Sequence, residues 1–147
     1  MEETNGDRLT GNFKWIMLVG FTVMSLAFDT NRYVAVEVPV SAVEVQNGKP
    51  VTFSIWLKTT DGIHVNAEPP VTLNSKTEGA SFKITTIGKD GDHIDAGKPI
   101  AIECETEGLA SGLHRAVFLM RYTYCSDTEK WCRMASDSVT VDLKVKK

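Results

Sequence analysis

From residue 33 onward apolar and polar residues alternate in short runs, and turn residues separate the runs. This pattern constrains the fold more than any other feature of the chain. A period of two marks a strand with one buried face, because successive side chains leave a strand on opposite sides. No long stretch after residue 30 keeps the 3.6-residue period of an amphipathic helix. Residues 33–45 set Tyr33, Val36, Val38, Val40, Val43 and Val45 among polar neighbours, with a bend at Pro39 and a turn at Asn47-Gly48. Residues 50–58 place Val51, Phe53, Ile55 and Leu57 on one face. Asp61-Gly62 turns the chain before Ile63 and Val65, and Glu68-Pro69-Pro70 interrupts pairing, since proline has no N–H to give. Residues 81–87 form a further strand, followed by the turn-rich stretch 88–92. Ile100, Ile102 and Cys104 share one face of the next strand. The run 113–125 turns Ala116, Phe118, Met120, Tyr122 and Tyr124 inward, and Val139, Val141, Leu143 and Val145 form the last inward row. About seven or eight strands at roughly ten-residue spacing predict an all-β, antiparallel β-sandwich.

Composition narrows the function classes. The chain has 147 residues, enough for one domain. A hydrophobic fraction of 42% with 24% charged residues excludes both global disorder and a polytopic membrane protein. The formal charge is −3 and no Lys/Arg cluster occurs, so nucleic acid is not the expected partner. A domain of this size buries about two-thirds of its unfolded surface and needs no disulfide to rescue a small core.

Trp15 to Phe28 reads WIMLVGFTVMSLAF, fourteen residues without a charge. As a helix it would be about 21 Å long against about 30 Å of hydrocarbon, the proportion of a signal-peptide core rather than a full span. Ser25 and Ala27 supply the small residues of a cleavage after Ala27. Glu2, Glu3 and Asp7 offset Arg8 and Lys14, so the preceding flank lacks the usual basic character. The expectation is an export signal or retained membrane anchor over residues 1–27 and a single β-domain over 28–147. The location is then periplasmic or otherwise extracytoplasmic, where disulfides persist.

Cys125 and Cys132 bracket six residues, at the end of one strand and the start of the next. Opposed positions on antiparallel strands are close enough for a disulfide. Closing so short a ring is worth about 2.5 kcal/mol by chain entropy, so one reading is a modest structural staple. The other is a redox pair at an exposed hairpin tip, where a partner thiolate reaches a sulfur. Asp127 and Glu129 would disfavour thiolates there, and Lys130 and Arg133 would favour them. Tyr124 and Trp131 flank the pair and would either shield it, form a docking surface, or belong to the core and the hairpin cover. His64 and Asn66 precede a Pro-Pro bend. They read as a surface polar pair, or as loop residues near the thiols, where an imidazolium lowers a cysteine pKa. Cys104 is in phase with Ile100 and Ile102 and reads as a buried small hydrophobe.

No cofactor and no metal follow from the remaining residues. His64, His93, His114 and the cysteines are too scattered for a structural zinc site. Met120 and Met134 beside the thiols suggest Cu(I) only weakly, and Asp90, Asp92 and Asp95 do not keep an EF-hand register. No phosphate loop, nucleophile elbow or HExxH is present.

Two stretches, Tyr122-Thr123-Tyr124-Cys125 through Cys132-Arg133-Met134 and Asp61-Gly62-Ile63-His64-Val65-Asn66-Ala67-Glu68-Pro69-Pro70, resemble the N-terminal periplasmic domain of DsbD-type thiol:disulfide interchange proteins. The Tyr-Cys-Ser…Cys stretch also resembles the C-terminal β-domain of NHL repeat-containing protein 2 and of the plant suppressor-of-quenching protein. The resemblance covers residues 33–146. It implies an immunoglobulin-like sandwich with Cys125 and Cys132 as a redox-active pair, a cap loop over that pair drawn from residues 60–70, and a thioredoxin-like or membrane redox protein as partner. This chain departs from that pattern in lacking a polytopic membrane domain and a thioredoxin domain, and in its six-residue cysteine spacing. A non-catalytic immunoglobulin-like binding module with a structural disulfide is the competing expectation.

Overall fold

The computed structural model describes residues 33–40 and 42–147. The apolar segment Trp15 to Phe28 and its cleavage site lie outside them. The described residues form eleven strands: β1 (Val34–Glu37), β2 (Val43–Gln46), β3 (Val51–Thr59), β4 (Ile63–Asn66), β5 (Thr72–Ser75), β6 (Ala80–Thr86), β7 (Lys89–Asp90), β8 (His93–Ile94), β9 (Ile100–Thr106), β10 (Gly112–Ser126) and β11 (Trp131–Lys146). One sheet has the order β1-β3-β9-β6. The other runs β2-β11-β10-β4-β8-β7, with β5 also paired to β10.

Alternation is what makes these strands. In β3, Phe53, Ile55 and Leu57 are buried while their neighbours face out; in β9, Ile100, Ile102 and Cys104 do the same. The second sheet answers with Ala116, Phe118, Met120 and Tyr122 from β10 and Val139, Val141 and Leu143 from β11. The rings of Phe82 on β6 and Phe118 on β10 meet at 4.7 Å between centroids and tie the sheets together. Burial of these side chains is the main favourable term in folding.

Leaving aside β2, β5, β7 and β8, seven strands remain. Their order is first-second-fifth-fourth in one sheet and third-sixth-seventh in the other, the arrangement of the immunoglobulin fold. The all-β sandwich expected from alternation is therefore the fold. Three details differ. The strands number eleven, because β5, β7 and β8 are too short to show an alternating pattern. Residues 33–45 are two strands in two different sheets, with Pro39 in the crossover between them. The sandwich is not wholly antiparallel, since β2 pairs in parallel with the end of β11.

Candidate functional site

The β10–β11 hairpin positions the site. Its register is unbroken from Gly112↔Val145 to Ser126↔Trp131. Residues 127–130 close it. Lys130 N–H donates to the Ser126 carbonyl at 3.0 Å, Glu129 N–H donates to Ser126 Oγ at 3.1 Å, and Lys130 takes φ 56°, the left-handed residue a four-residue hairpin loop calls for. One step below the closing pair, Cys125 and Cys132 oppose each other and form a disulfide, with Cα atoms 4.0 Å apart.

Residues of even number on β11 and odd number on β10 point away from the core. The disulfide therefore lies on the outer face of the second sheet, not between the sheets as in antibody domains. Its two ends differ. Cys132 is exposed, whereas Cys125 is 5% exposed. The cover over Cys125 comes from β4, whose register sets His64 directly opposite it. Asn66, two residues on and so on the same face, donates from Nδ2 to Cys125 Sγ at 3.2 Å. Ser126, the next residue, is also buried, and its hydroxyl is taken up by the hairpin loop.

β8 completes the wall. It pairs with β4 through Val65↔Ile94 and Asn66↔His93, which stacks the His93 ring on His64 at 3.7 Å between centroids. His64 Nδ1 is buried and sits 3.0 Å from Asp127 Oδ1, an ion-pair contact when the imidazole is protonated, without an aligned hydrogen bond. The result is an open cleft of about 660 Å³ with the disulfide on one side and His64, His93, Asp92 and Lys89 on the others. A cleft with a few convergent polar groups is the natural place to look for a binding site.

The residues singled out from sequence separate into two faces. His64 and Asn66 join Cys125 and Cys132. Tyr124 points the other way, into the core at 6% exposure, in an aromatic cluster with Tyr33 and Trp131. Trp131 is half-buried, edge-on to Tyr33 and Tyr124, with the Arg133 guanidinium over its ring at 4.5 Å. It lines the cleft together with Cys125 and Cys132. Of the stretch 60–70 expected to cap the pair, residues 63–66 are strand β4, held by ladders to β10 and β8, and it is this strand that brings His64 and Asn66 against Cys125. His93 had no sequence signal of its own: it reaches the site only because β8 lies beside β4. Cys104 is fully buried and far from this face, and burial, helped by Glu105, pushes its thiol up to about 11. Asp95 is occupied by Gly97 N–H and Lys98 at a turn, which holds its carboxyl below the usual range. Among the described residues no set of three or more His, Cys, Asp or Glu side chains is assembled to hold a metal ion.

No protein-family model and no curated protein sequence matches this chain. Solved structures do. Domains 4 and 5 of the S-layer protein SbsC are similar at 16% identity with a TM-score of 0.45, over 77% of this chain and 51% of that one. The longer SbsC structure, rSbsC(31-844), is similar at 17% identity with a TM-score of 0.42, over 77% of this chain and 12% of that one. Murine CRIg is similar at 10% identity with a TM-score of 0.45, over 78% of this chain and 99% of that one. The chain thus spans about half of the first SbsC structure and a small part of the second. It is a disulfide-bonded, immunoglobulin-like β-domain.

Proposed function

We propose that this domain exchanges disulfides with partner proteins through the Cys125–Cys132 pair, in an extracytoplasmic compartment where such a bond forms and persists. The observation that carries the reading is the asymmetry of the pair: Cys132 is an exposed residue, whereas Cys125 is buried and its sulfur accepts a hydrogen bond from Asn66. A partner thiolate attacks Cys132 Sγ, a bond forms between the two sulfurs, and the Cys125–Cys132 bond breaks with its electron pair on Cys125. A leaving thiolate departs faster the better it is stabilised, and the Asn66 amide is aimed at it. In the second step a second partner thiolate attacks its own half of the mixed disulfide. Cys132 leaves as a thiolate and is protonated by water. The domain is then a dithiol and the partner a disulfide; the reverse sequence oxidises the domain. The resemblance to the DsbD-type N-terminal domain supports the same pair in the same role, with a thioredoxin-like or membrane redox protein on the other side.

The test is a pair of single substitutions. Cys125→Ser should leave a reactive Cys132 thiolate that attacks the disulfide of an oxidised partner, displaces one partner sulfur as a thiolate and stays in a long-lived mixed disulfide, since the resolving sulfur of Cys125 is gone. Cys132→Ser should leave Cys125 covered and slow to react. Equal reactivity of the two would contradict the assignment.

A second reading has one observation in its favour. Cys125 and Cys132 join directly opposed positions of an unbroken ladder, so the bond suits a staple that holds the hairpin of a binding module. On that reading the Cys125→Ser/Cys132→Ser double variant keeps its partner and loses only some stability; on the exchange reading it stays folded and loses activity.

A further inference from the structure

Among the described residues the outer edge of β11 is open beside the exposed Cys132. β10 pairs with β11 along its whole length on one side, while on the other β2 reaches only Leu143 to Lys146. Among the described residues nothing pairs with the edge from Cys132 to Asp142. Which main-chain groups face that edge follows from the register. In an antiparallel ladder close pairs are the ones that do not exchange hydrogen bonds, and the 4.0 Å Cα separation places Cys125 and Cys132 among them. The N–H and C=O of Cys132 therefore point away from β10. The Lys146 carbonyl, an even number of residues on, accepts from Asn47 N–H at 2.9 Å on that same side, which confirms the parity. Cys132, Met134, Ser136, Ser138 and Thr140 thus all direct their main chain outward.

Sheet edges are ordinarily protected by lysine, proline or a bulge. Between Cys132 and Thr140 this one has no lysine, proline or bulge, and its outer-face side chains are uncharged; the two charged residues of the segment belong to the other face, Arg133 over the Trp131 ring and Asp137 accepting from the Tyr122 hydroxyl. Met134 is 74% exposed in the same row. The edge has the properties of a strand-addition surface.

We propose that the edge of β11 receives an extended, cysteine-bearing segment of the partner polypeptide, and that main-chain pairing there delivers the attacking thiolate to Cys132. The inference rests on the exchange reading and adds how the partner is held. A strand added at this edge would form a hydrogen-bonded pair opposite Cys132, at a Cα separation of about 5.5 Å, within the range a disulfide spans. A cysteine at that position stands on the same face as Cys132 and Cys125, with the three sulfurs in a row across adjacent strands. Its thiolate forms a bond to Cys132 Sγ, and Cys125 leaves on the far side carrying the electron pair. The proton lost from the incoming thiol goes to water.

The experiment uses the full chain in its oxidised form and a synthetic nine-residue peptide of alternating valine and threonine with a central cysteine. The same peptide N-methylated at the cysteine and at alternate residues from it cannot donate to the edge in that register, whereas methylation at the intervening residues blocks only the peptide's far edge. The unmodified peptide and the one methylated at the intervening residues should form the mixed disulfide about tenfold faster than the one methylated in the cysteine's register, while dithiothreitol reduces the domain without regard to any of these differences. Ser136→Pro removes an N–H that faces outward and none that bonds β10, so it should slow the peptide by a similar factor and leave the dithiothreitol rate unchanged. Equal rates for all peptides, with dithiothreitol still effective, overturn edge docking and leave exchange standing. That result covers an edge already taken by residues 1–32 or by a second copy. A chain that is dimeric by sedimentation and becomes monomeric with Ser136→Pro assigns the edge to self-pairing and overturns the proposal. A disulfide that neither peptide nor dithiothreitol reduces overturns the exchange reading itself.

Discussion

Asn66 and Cys125 are 59 residues apart in the chain, yet the Asn66 amide donates to the Cys125 sulfur at 3.2 Å. Two strand pairings bring this about. β4 lies against the end of β10, and its register puts His64 opposite Cys125 and Asn66 two residues beyond on the same face. A hydrogen bond to sulfur is weak in the disulfide and strengthens when the sulfur becomes an anion. The contact therefore favours breaking the bond at Cys125.

Asn66→Ala should slow reduction of the domain by dithiothreitol roughly three- to tenfold, a fraction of the worth of a hydrogen bond to a charged group. Asn66→Asp should slow it further, because a carboxylate then faces the forming thiolate. Acid-quenched time points read by mass give the rates. Unchanged rates in both variants would remove Asn66 from the mechanism.

The hairpin is held by its ladder as well as by its disulfide. Cys125→Ser/Cys132→Ser should lower unfolding free energy by no more than about 2.5 kcal/mol, the chain-entropy value for so short a ring. Urea unfolding of the reduced double variant against the oxidised wild type measures it. Loss of cooperative unfolding would mean that the bond is required for the fold.

Phe118 joins the sheets through Phe82 and is fully buried. Phe118→Ala should cost about 3–5 kcal/mol, the range for removing a buried aromatic ring. A loss below about 1 kcal/mol in the same unfolding assay would contradict its place in the core.

Cys104 gives the alkaline limb of stability a specific cause. Its folded pKa is raised from 9.0 to about 11 by burial, with Glu105 adding to it. Between these values the unfolded chain loses the thiol proton and the folded chain keeps it, so stability falls as pH rises; below the lower value the term is constant. Wild type should lose more stability than Cys104→Ala between pH 9.0 and about 11. Parallel profiles for the two proteins would contradict the burial argument. In the folded, oxidised protein near neutral pH, Cys104 should also resist thiol reagents and react once the chain is unfolded.

The core was legible in the sequence because it repeats with period two over long runs. The inward rows of β3, β9, β10 and β11 are the rows that alternation marks. The pairing of Cys125 with Cys132 was legible as a geometry, since the two lie near the ends of adjacent strands. Other features depend on which strands become neighbours. Nothing local tells that residues 33–45 change sheets, that β8 lies beside β4, or that His93 stacks on His64. Tyr124 and Cys125 are adjacent in sequence and face opposite sides, so proximity in the chain suggested a shared site that the pleat divides.

The reduction potential of the Cys125–Cys132 pair tests the exchange reading most directly. Equilibration of the full chain in glutathione and dithiothreitol buffers, with the free thiols counted after alkylation, gives the value. A potential above about −250 mV is expected, in the range where exchange proteins work. A potential below about −300 mV would mark a disulfide that thiol partners barely reduce, and the domain would then be a stapled binding module.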